Sequence, residues 1–270
     1  MPALDLTDAP ISQLISLRGR TAVVTGGARG IGLAIARRLS EAGANLVIAD
    51  KDEAAWRDAL EHLATRENDI IGVTCDAREE GSIERAAEEA DGRFGRLDIW
   101  VNDAGIYPST PVMEISKDEW ENVIHTNVRG VFNGARAAIP RMTNNGGGVI
   151  LNLASVTGFH GSPGFAHYSA SKFAVRGLTA TLAKEMAKDN IRVLALAPTL
   201  IKTPGVEKNK PDMDKMAHGD VIKQHAKEIP LGRVGVPDDI ARVALFAVSD
   251  LAAFMTGTTI VIDGGALAMG

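Results

Sequence analysis

Tyr168 and Lys172 stand four residues apart in Tyr168-Ser169-Ala170-Ser171-Lys172, near the start of a long helical pattern. Positions i and i+4 share a helix face, so a phenol and an ammonium point the same way. Tyrosine ordinarily ionises at about pH 10. A neighbouring positive charge favours the phenolate, which suits the group to general acid/base work. The pair alone is common on ordinary helices; its surroundings give it weight. Ser155 lies just past the apolar run 149–153, at the carboxyl edge where α/β sheets hold ligands, and its hydroxyl is suited to hold a substrate oxygen. Asn127 falls inside a helical pattern, where a poor helix former calls for a functional or packing reason.

A second chemical stretch is Thr25-Gly26-Gly27-Ala28-Arg29-Gly30-Ile31-Gly32, placed between an apolar run and a helical pattern. Glycines there let the backbone turn tightly and approach a pyrophosphate, whose charge is met by N–H groups at the helix start. Asp50 ends the next apolar run, at the roughly 20-residue spacing of an acid that accepts hydrogen bonds from an adenosine ribose. A carboxylate there repels the extra phosphate of NADP by on the order of a few kcal/mol, so NAD is predicted over NADP. Arg29 and Lys51 argue the other way, since each is able to meet a phosphate.

The elements that position these groups alternate. Apolar runs at 21–24, 45–49, 70–74, 97–101, 149–153, 191–196 and 259–262 read as strands; helical patterns cover 31–42, 53–65, 79–92, 116–142, 165–188 and 237–248. Strands apolar on both faces and separated by helices imply a parallel sheet covered on both sides. The predicted fold is therefore α/β: a doubly wound parallel sheet of about seven strands, the Rossmann fold, with helices on both faces. Residues 1–18 are expected to form an arm on the surface or at a subunit contact. Residues 19–270 are expected to form one dinucleotide-binding catalytic domain, with the polar segment at about 203–228 as a lid.

Composition narrows the function classes. The chain has 270 residues, 45% hydrophobic and 4% aromatic, with a formal charge of −5; it has no basic footprint for nucleic acid. No run approaches the roughly 20 apolar residues of a membrane span. Met1 to Leu17 has neither the basic start nor the apolar centre of a secretory signal, which predicts a cytoplasmic protein. The lone Cys75 reads as a small core residue. His62, His125, His218 and His225 show no ligand spacing with carboxylates or cysteine, and no catalytic metal is expected.

Taken together, Thr25 to Gly32, Asn102-Asp103-Ala104-Gly105, Asn127, Ser155 and Tyr168 with Lys172 resemble the short-chain dehydrogenase/reductase family, over residues 19 to 265. The resemblance implies that Tyr168 is the acid/base and that Ser155 orients and polarises the reacting oxygen. It implies that Lys172 binds the nicotinamide ribose and lowers the phenol pKa, and that Asn127 holds a water linking Lys172 to solvent. By the same likeness Gly26, Arg29, Gly30, Ile31, Gly32 and Asp50 hold the cofactor. Asp76 and Ala77 contact its adenine, Asn102 and Gly105 lie along its adenosine side, and Pro198, Ile201 and Thr203 hold its nicotinamide end. Segments 231–235 and 256–265 match the parts that build a tetramer interface, so a homotetramer is expected.

Two positions depart from the family. Asp103 stands where Asn is usual, and a buried carboxylate donates no hydrogen bond unless protonated, so it is expected to be protonated or to have found new donors. Thr199 replaces the glycine often found after Pro198. The predicted function is hydride transfer between NAD(H) and a secondary alcohol or ketone, a small-molecule substrate. Candidate pocket residues are Tyr107, Val156, His160, Phe165 and His167, with Met213 and Met216 from the lid. The polar lid leans toward a sugar, polyol or hydroxy acid. The alternatives are an NADP-dependent carbonyl or 3-oxoacyl-thioester reductase, a sugar-nucleotide epimerase, and a non-catalytic NAD sensor.

Overall fold

Thr21–Thr25, the first strand (β1), is buried along its whole length. Alternate residues of a strand leave opposite faces, so Ala22 and Val24 enter one apolar core while Val23 enters another. Asn45–Asp50 (β2) divides the same way, with Leu46 and Ile48 on the first side and Val47 and Ala49 on the second. This two-sided burial is what forces helices onto both faces. The computed structural model describes residues 6–63 and 68–269.

In chain order the elements are α1 (Ile11–Leu14), β1, α2 (Gly30–Glu41), β2, α3 (Glu53–Leu63), β3 (Ile70–Thr74), α4 (Glu80–Phe94) and β4 (Ile99–Asn102). There follow α5 (Lys117–Ile124), a π-helical turn (His125–Arg129), α6 (Gly130–Asn144), β5 (Gly148–Leu153), α7 (Ala166–Met186) and β6 (Ile191–Pro198). The last are α8 (Pro204–Met216), α9 (Val221–Glu228), α10 (Pro237–Val248) and β7 (Thr259–Ile262). The seven strands pair in the order β3-β2-β1-β4-β5-β6-β7, all parallel. Ile35 and Leu39 of α2, Ala59 of α3 and Ile240 of α10 close one face. Ile83 of α4, Met142 of α6 and Ala183 of α7 close the other. Strand order reverses between β1 and β4, and the crevice outside their carboxyl ends is the expected ligand position.

The helical pattern expected at 116–142 is not one α-helix. It breaks at the π turn, where Asn127 bonds the backbone of Ile106, receiving its N–H at 2.9 Å and donating to its carbonyl at 2.8 Å. The expected run at 97–101 becomes a strand only from Ile99. The end of the helix expected over 53–65, and residues 1–5 of the arm, lie outside the described residues. The rest of the arm carries α1 and ends in fully buried Leu17, whose N–H bonds Ala42 O at 2.8 Å. Segment 203–228 holds the two helices α8 and α9. Among the described residues, no helix is long and apolar enough to cross a membrane, and no group of His, Cys, Asp or Glu is placed to hold a metal.

Candidate active site

The loop after β1 is shaped by close approach. Gly26 has φ +67°, and a Cβ there would lie 2.9 Å from the Ala104 backbone. Only a bare backbone fits. α2 then starts at Gly30, with Arg29 at its N-cap giving no side-chain bond. Apart from the Gly32 N–H, which goes to Asp103, the first-turn amides are therefore left for a ligand, at the end of the helix where an anion is favoured. At the end of β2, Asp50 is oriented by the N–H groups of Ala28 (3.3 Å) and Asp52 (3.1 Å). Together these features suit a dinucleotide: bare backbone for its phosphates, a carboxylate for a ribose.

One cavity of about 1090 Å³ runs from this loop across the sheet edge, larger than a small substrate alone needs. Asp50, Asp76 and Ala77 line one end; Gly26, Arg29, Gly30, Ile31 and Gly105 line the middle; Pro198, Ile201 and Thr203 follow. Ser155, Tyr168 and Lys172 stand on the same wall. Tyr107, Val156, His160, Phe165, Met213 and Met216 line the far end. The rings of Tyr107 and Phe165 each meet Tyr168 edge-on, at centroid separations of 6.0 Å.

Ser155 follows β5, as the sheet edge requires, and its hydroxyl stands beside the Tyr168 phenol, whose ionised form it favours. The same hydroxyl reaches Pro198 O at 3.4 Å and takes the Thr157 N–H at 3.2 Å. Lys172 lies one turn after Tyr168 on α7, its Nζ 5.4 Å from the phenol ring centroid and donating to Leu153 O at 2.6 Å. Burial lowers the Lys172 ammonium to about 8, against the attraction of Asp103. Burial also pushes the Tyr168 phenol well above its ordinary range, with Ser155 opposing and Tyr107 and Asp103 adding to the rise. In the chain by itself, loss of solvent is the largest influence on the phenol.

The wall and its surroundings match a known family. The family model described as "Enoyl-(Acyl carrier protein) reductase" covers residues 26–266. A 3alpha-hydroxysteroid dehydrogenase of Mediterraneibacter gnavus is 39% identical over 252 residues, 93% of this chain and 98% of the relative. The 3-oxoacyl-[acyl-carrier-protein] reductase FabG of Chlamydia pneumoniae is 36% identical over 251 residues, 93% of this chain and 98% of the relative. A gluconate 5-dehydrogenase from Burkholderia cenocepacia, solved with NADP and tartrate, superposes with a TM-score of 0.85 at 33% identity, covering 96% of this chain and 99% of that one. The chain belongs to the short-chain dehydrogenase/reductase family. It is therefore an oxidoreductase with a nicotinamide cofactor.

Four expected site residues of this reductase-family chain lie off the cavity wall. Asn102 is a core residue: it takes the Trp100 indole N–H at 2.7 Å and donates to Asn152 at 2.9 Å. Gly32 packs behind the loop, where a Cβ would lie 2.3 Å from Gly26 O. Asn127 is buried, and its Nδ2 is spent on Ile106 O and Ser171 Oγ (3.1 Å), leaving its side chain no free hydrogen toward Lys172. His167 is fully buried and bonded to Glu119 instead. For Asn102, Asn127 and His167 a partner distant in sequence claims the side chain.

Asp103 is half-buried, on the wall. Burial raises its carboxyl to about 7, with Lys172 and the Gly32 N–H pulling the other way. It has both lost acidity and found one donor. Thr199 lines the wall and its N–H reaches Ile262 O at 3.4 Å. Sequence reasoning missed Arg78, which lines the wall while bonding Asp76 at 2.6 Å and Asn122 at 3.2 Å. It missed His225 and Glu228 of α9 as well. Arg78 has a signal, a cation two residues past Asp76; the α9 residues have none, because only the turn of that helix points them inward.

Proposed function

We propose that the chain moves a hydride between NAD(H) and a secondary alcohol or its ketone, with Tyr168 as proton-transfer residue. One observation carries this: the Ser155 hydroxyl, the Tyr168 phenol and the Lys172 ammonium share a wall with the glycine loop and Asp50. The bound nicotinamide supplies the hydride acceptor or donor. Ser155 and Tyr168 hold the substrate oxygen between them, fixing its orientation. In reduction the phenol, kept protonated by burial, gives its proton to that oxygen; in oxidation its phenolate, favoured by the positive charge of the oxidised cofactor and Lys172, takes the alcohol proton. Lys172 supplies positive charge beneath the phenol and holds the ribose.

Asp50 supports NAD over NADP, and Arg29 is less available to a phosphate than its position suggests, being paired with Asp52 at 2.7 Å. The NADP reading keeps one observation in its favour, exposed Lys51 on the same wall; an NADP-dependent 3-oxoacyl-thioester reductase is the second reading. The lid composition points to a sugar, polyol or hydroxy acid, but its polar residues mostly face solvent. Val206, Met213 and Val221 are buried against the cavity, and we favour a substrate with an apolar body. A homotetramer is supported by exposed Phe132 and Phe173 on α6 and α7 and by exposed Phe246, Phe254 and Val261 near α10 and β7, which form apolar surfaces suited to burial between subunits.

The test is a panel of alicyclic alcohols, polyols and hydroxy acids followed by reduced-cofactor absorbance with NAD and NADP in parallel. The expected result is turnover of apolar alcohols with NAD. Turnover confined to NADP with 3-oxoacyl thioesters moves the assignment to the second reading.

A further inference from the structure

Helix α7 begins without the side-chain cap that its first turn needs. Phe165, at the N-cap, gives no side-chain bond, and the first amides of a helix have no intrahelical acceptor. The bond that opens the helix runs from Ser169 N–H to Phe165 O at 2.7 Å, so the Tyr168 amide precedes the ladder. His167 supplies its acceptor: Nδ1 takes the Tyr168 N–H at 3.0 Å. The other ring nitrogen lies 2.8 Å from Glu119 Oε1. A nitrogen that accepts from an amide carries no proton, so the ring proton sits on Nε2 and is donated to Glu119.

Glu119 is itself held, its N–H donating to Ser116 Oγ at 3.1 Å at the start of α5. The same element ends in the π turn, where Asn127 donates to Ser171 Oγ at 3.1 Å. Ser171 in turn donates to the Tyr168 carbonyl at 2.6 Å. Both main-chain groups of Tyr168 are thus gripped from residues 117–129. The amide is held through His167 and Glu119, the carbonyl through Ser171 and Asn127.

Resting on the reading of Tyr168 as the acid/base, we propose that His167 and Glu119 are positioning residues that clamp its main chain so that the phenol stays against Ser155. Neither touches the substrate: His167 is fully buried, off the cavity wall. Misplacing a reacting group by a fraction of an ångström is enough to slow chemistry without weakening binding.

His167→Leu removes both links, whereas His167→Asn restores an acceptor near the position of Nδ1. His167→Leu is expected to lower kcat about tenfold with cofactor affinity within about twofold of wild type, and His167→Asn to recover most of the loss. The primary isotope effect on kcat, with an alcohol deuterated at its carbinol carbon, is expected to rise in His167→Leu; a purely structural role would not move it. The chain has two tyrosines, so fluorine NMR of 3-fluorotyrosine protein gives two resonances, and that of Tyr168 is expected to broaden. Wild-type kcat, isotope effect and resonance in His167→Leu overturn the proposal. If His167→Leu does not fold, Glu119→Ala is expected to reproduce the loss and Glu119→Gln, which keeps an acceptor oxygen, to avoid it. Equal rates in both with wild type overturn it equally. Turnover retained by Tyr168→Phe sinks the acid/base reading instead, while the Tyr168 resonance, compared between wild type and His167→Leu, still reports the clamp.

Discussion

The two ends of the cavity are built differently. At the end proposed for the dinucleotide, the wall is sheet edge and loop backbone: Asp50 ends β2 and is fixed by two amides, and Gly26 is held against Ala104. At the end proposed for the substrate, the wall includes α8 and α9, which lie outside the sheet. Few bonds tie α8 to the body: Asn209 donates to Tyr107 O at 3.4 Å, and the Tyr107 hydroxyl meets Thr203. An invariant ligand is met by parts that the fold cannot shift, a variable one by helices whose side chains change without touching the sheet. Tyr168 stands where the two ends meet.

That contrast is open to attack by substitution. Tyr168→Phe keeps both ends but removes the proton; kcat is expected to fall by at least about 10²-fold, with NADH affinity by fluorescence near wild type. Asp50→Ala touches only the dinucleotide end, and the ratio of kcat/KM with NAD to that with NADP is expected to fall by about 10- to 100-fold, from loss of a few kcal/mol of repulsion. An unchanged ratio removes Asp50 from cofactor choice.

Asp103→Asn probes the junction. The carboxyl rises from 3.8 to about 7 in the folded chain. Through that window the native protein holds a proton that the unfolded chain has released, so wild-type stability falls as pH rises. Asp103→Asn is expected to melt higher than wild type above pH 7 and to lose that advantage in acid. Because Asp103 also raises the Tyr168 phenol, the acid limb of the oxidation profile is expected to move to lower pH in the variant. A coincident profile and melting curve contradict both roles. The smallest effect is expected from Met213→Ala at the lid: a rise of up to about tenfold in substrate KM with cofactor affinity unchanged.

The parts that line the proposed dinucleotide end were legible in the sequence because their signals are local. Strands apolar on both faces, a glycine loop between strand and helix, and Tyr168 one turn from Lys172 all lie within short windows. What stayed hidden depends on partners far along the chain. Asn127 opens a π turn because Ile106, 21 residues away, takes its side chain. His167 leaves the pocket because Glu119, 48 residues away, claims its ring. Asn102 belongs to the core because Trp100 and Asn152 meet it inside the sheet. The lid is harder to read for another reason: its composition is polar, but helical phase, not composition, decides that Val206 and Met213 are buried.

Tyrosinate absorbance, followed against pH in the Tyr107→Phe background with Tyr168 as the remaining tyrosine, tests the central claim most directly. Without cofactor, burial should keep the phenol protonated to the alkaline limit of the folded protein. Saturating NAD⁺ adds a positive ring beside it and should bring the titration down by more than about one unit, while NADH, with a neutral ring, should not. A Tyr168 titration that is identical with and without NAD⁺ would mean that the phenol and the nicotinamide do not meet.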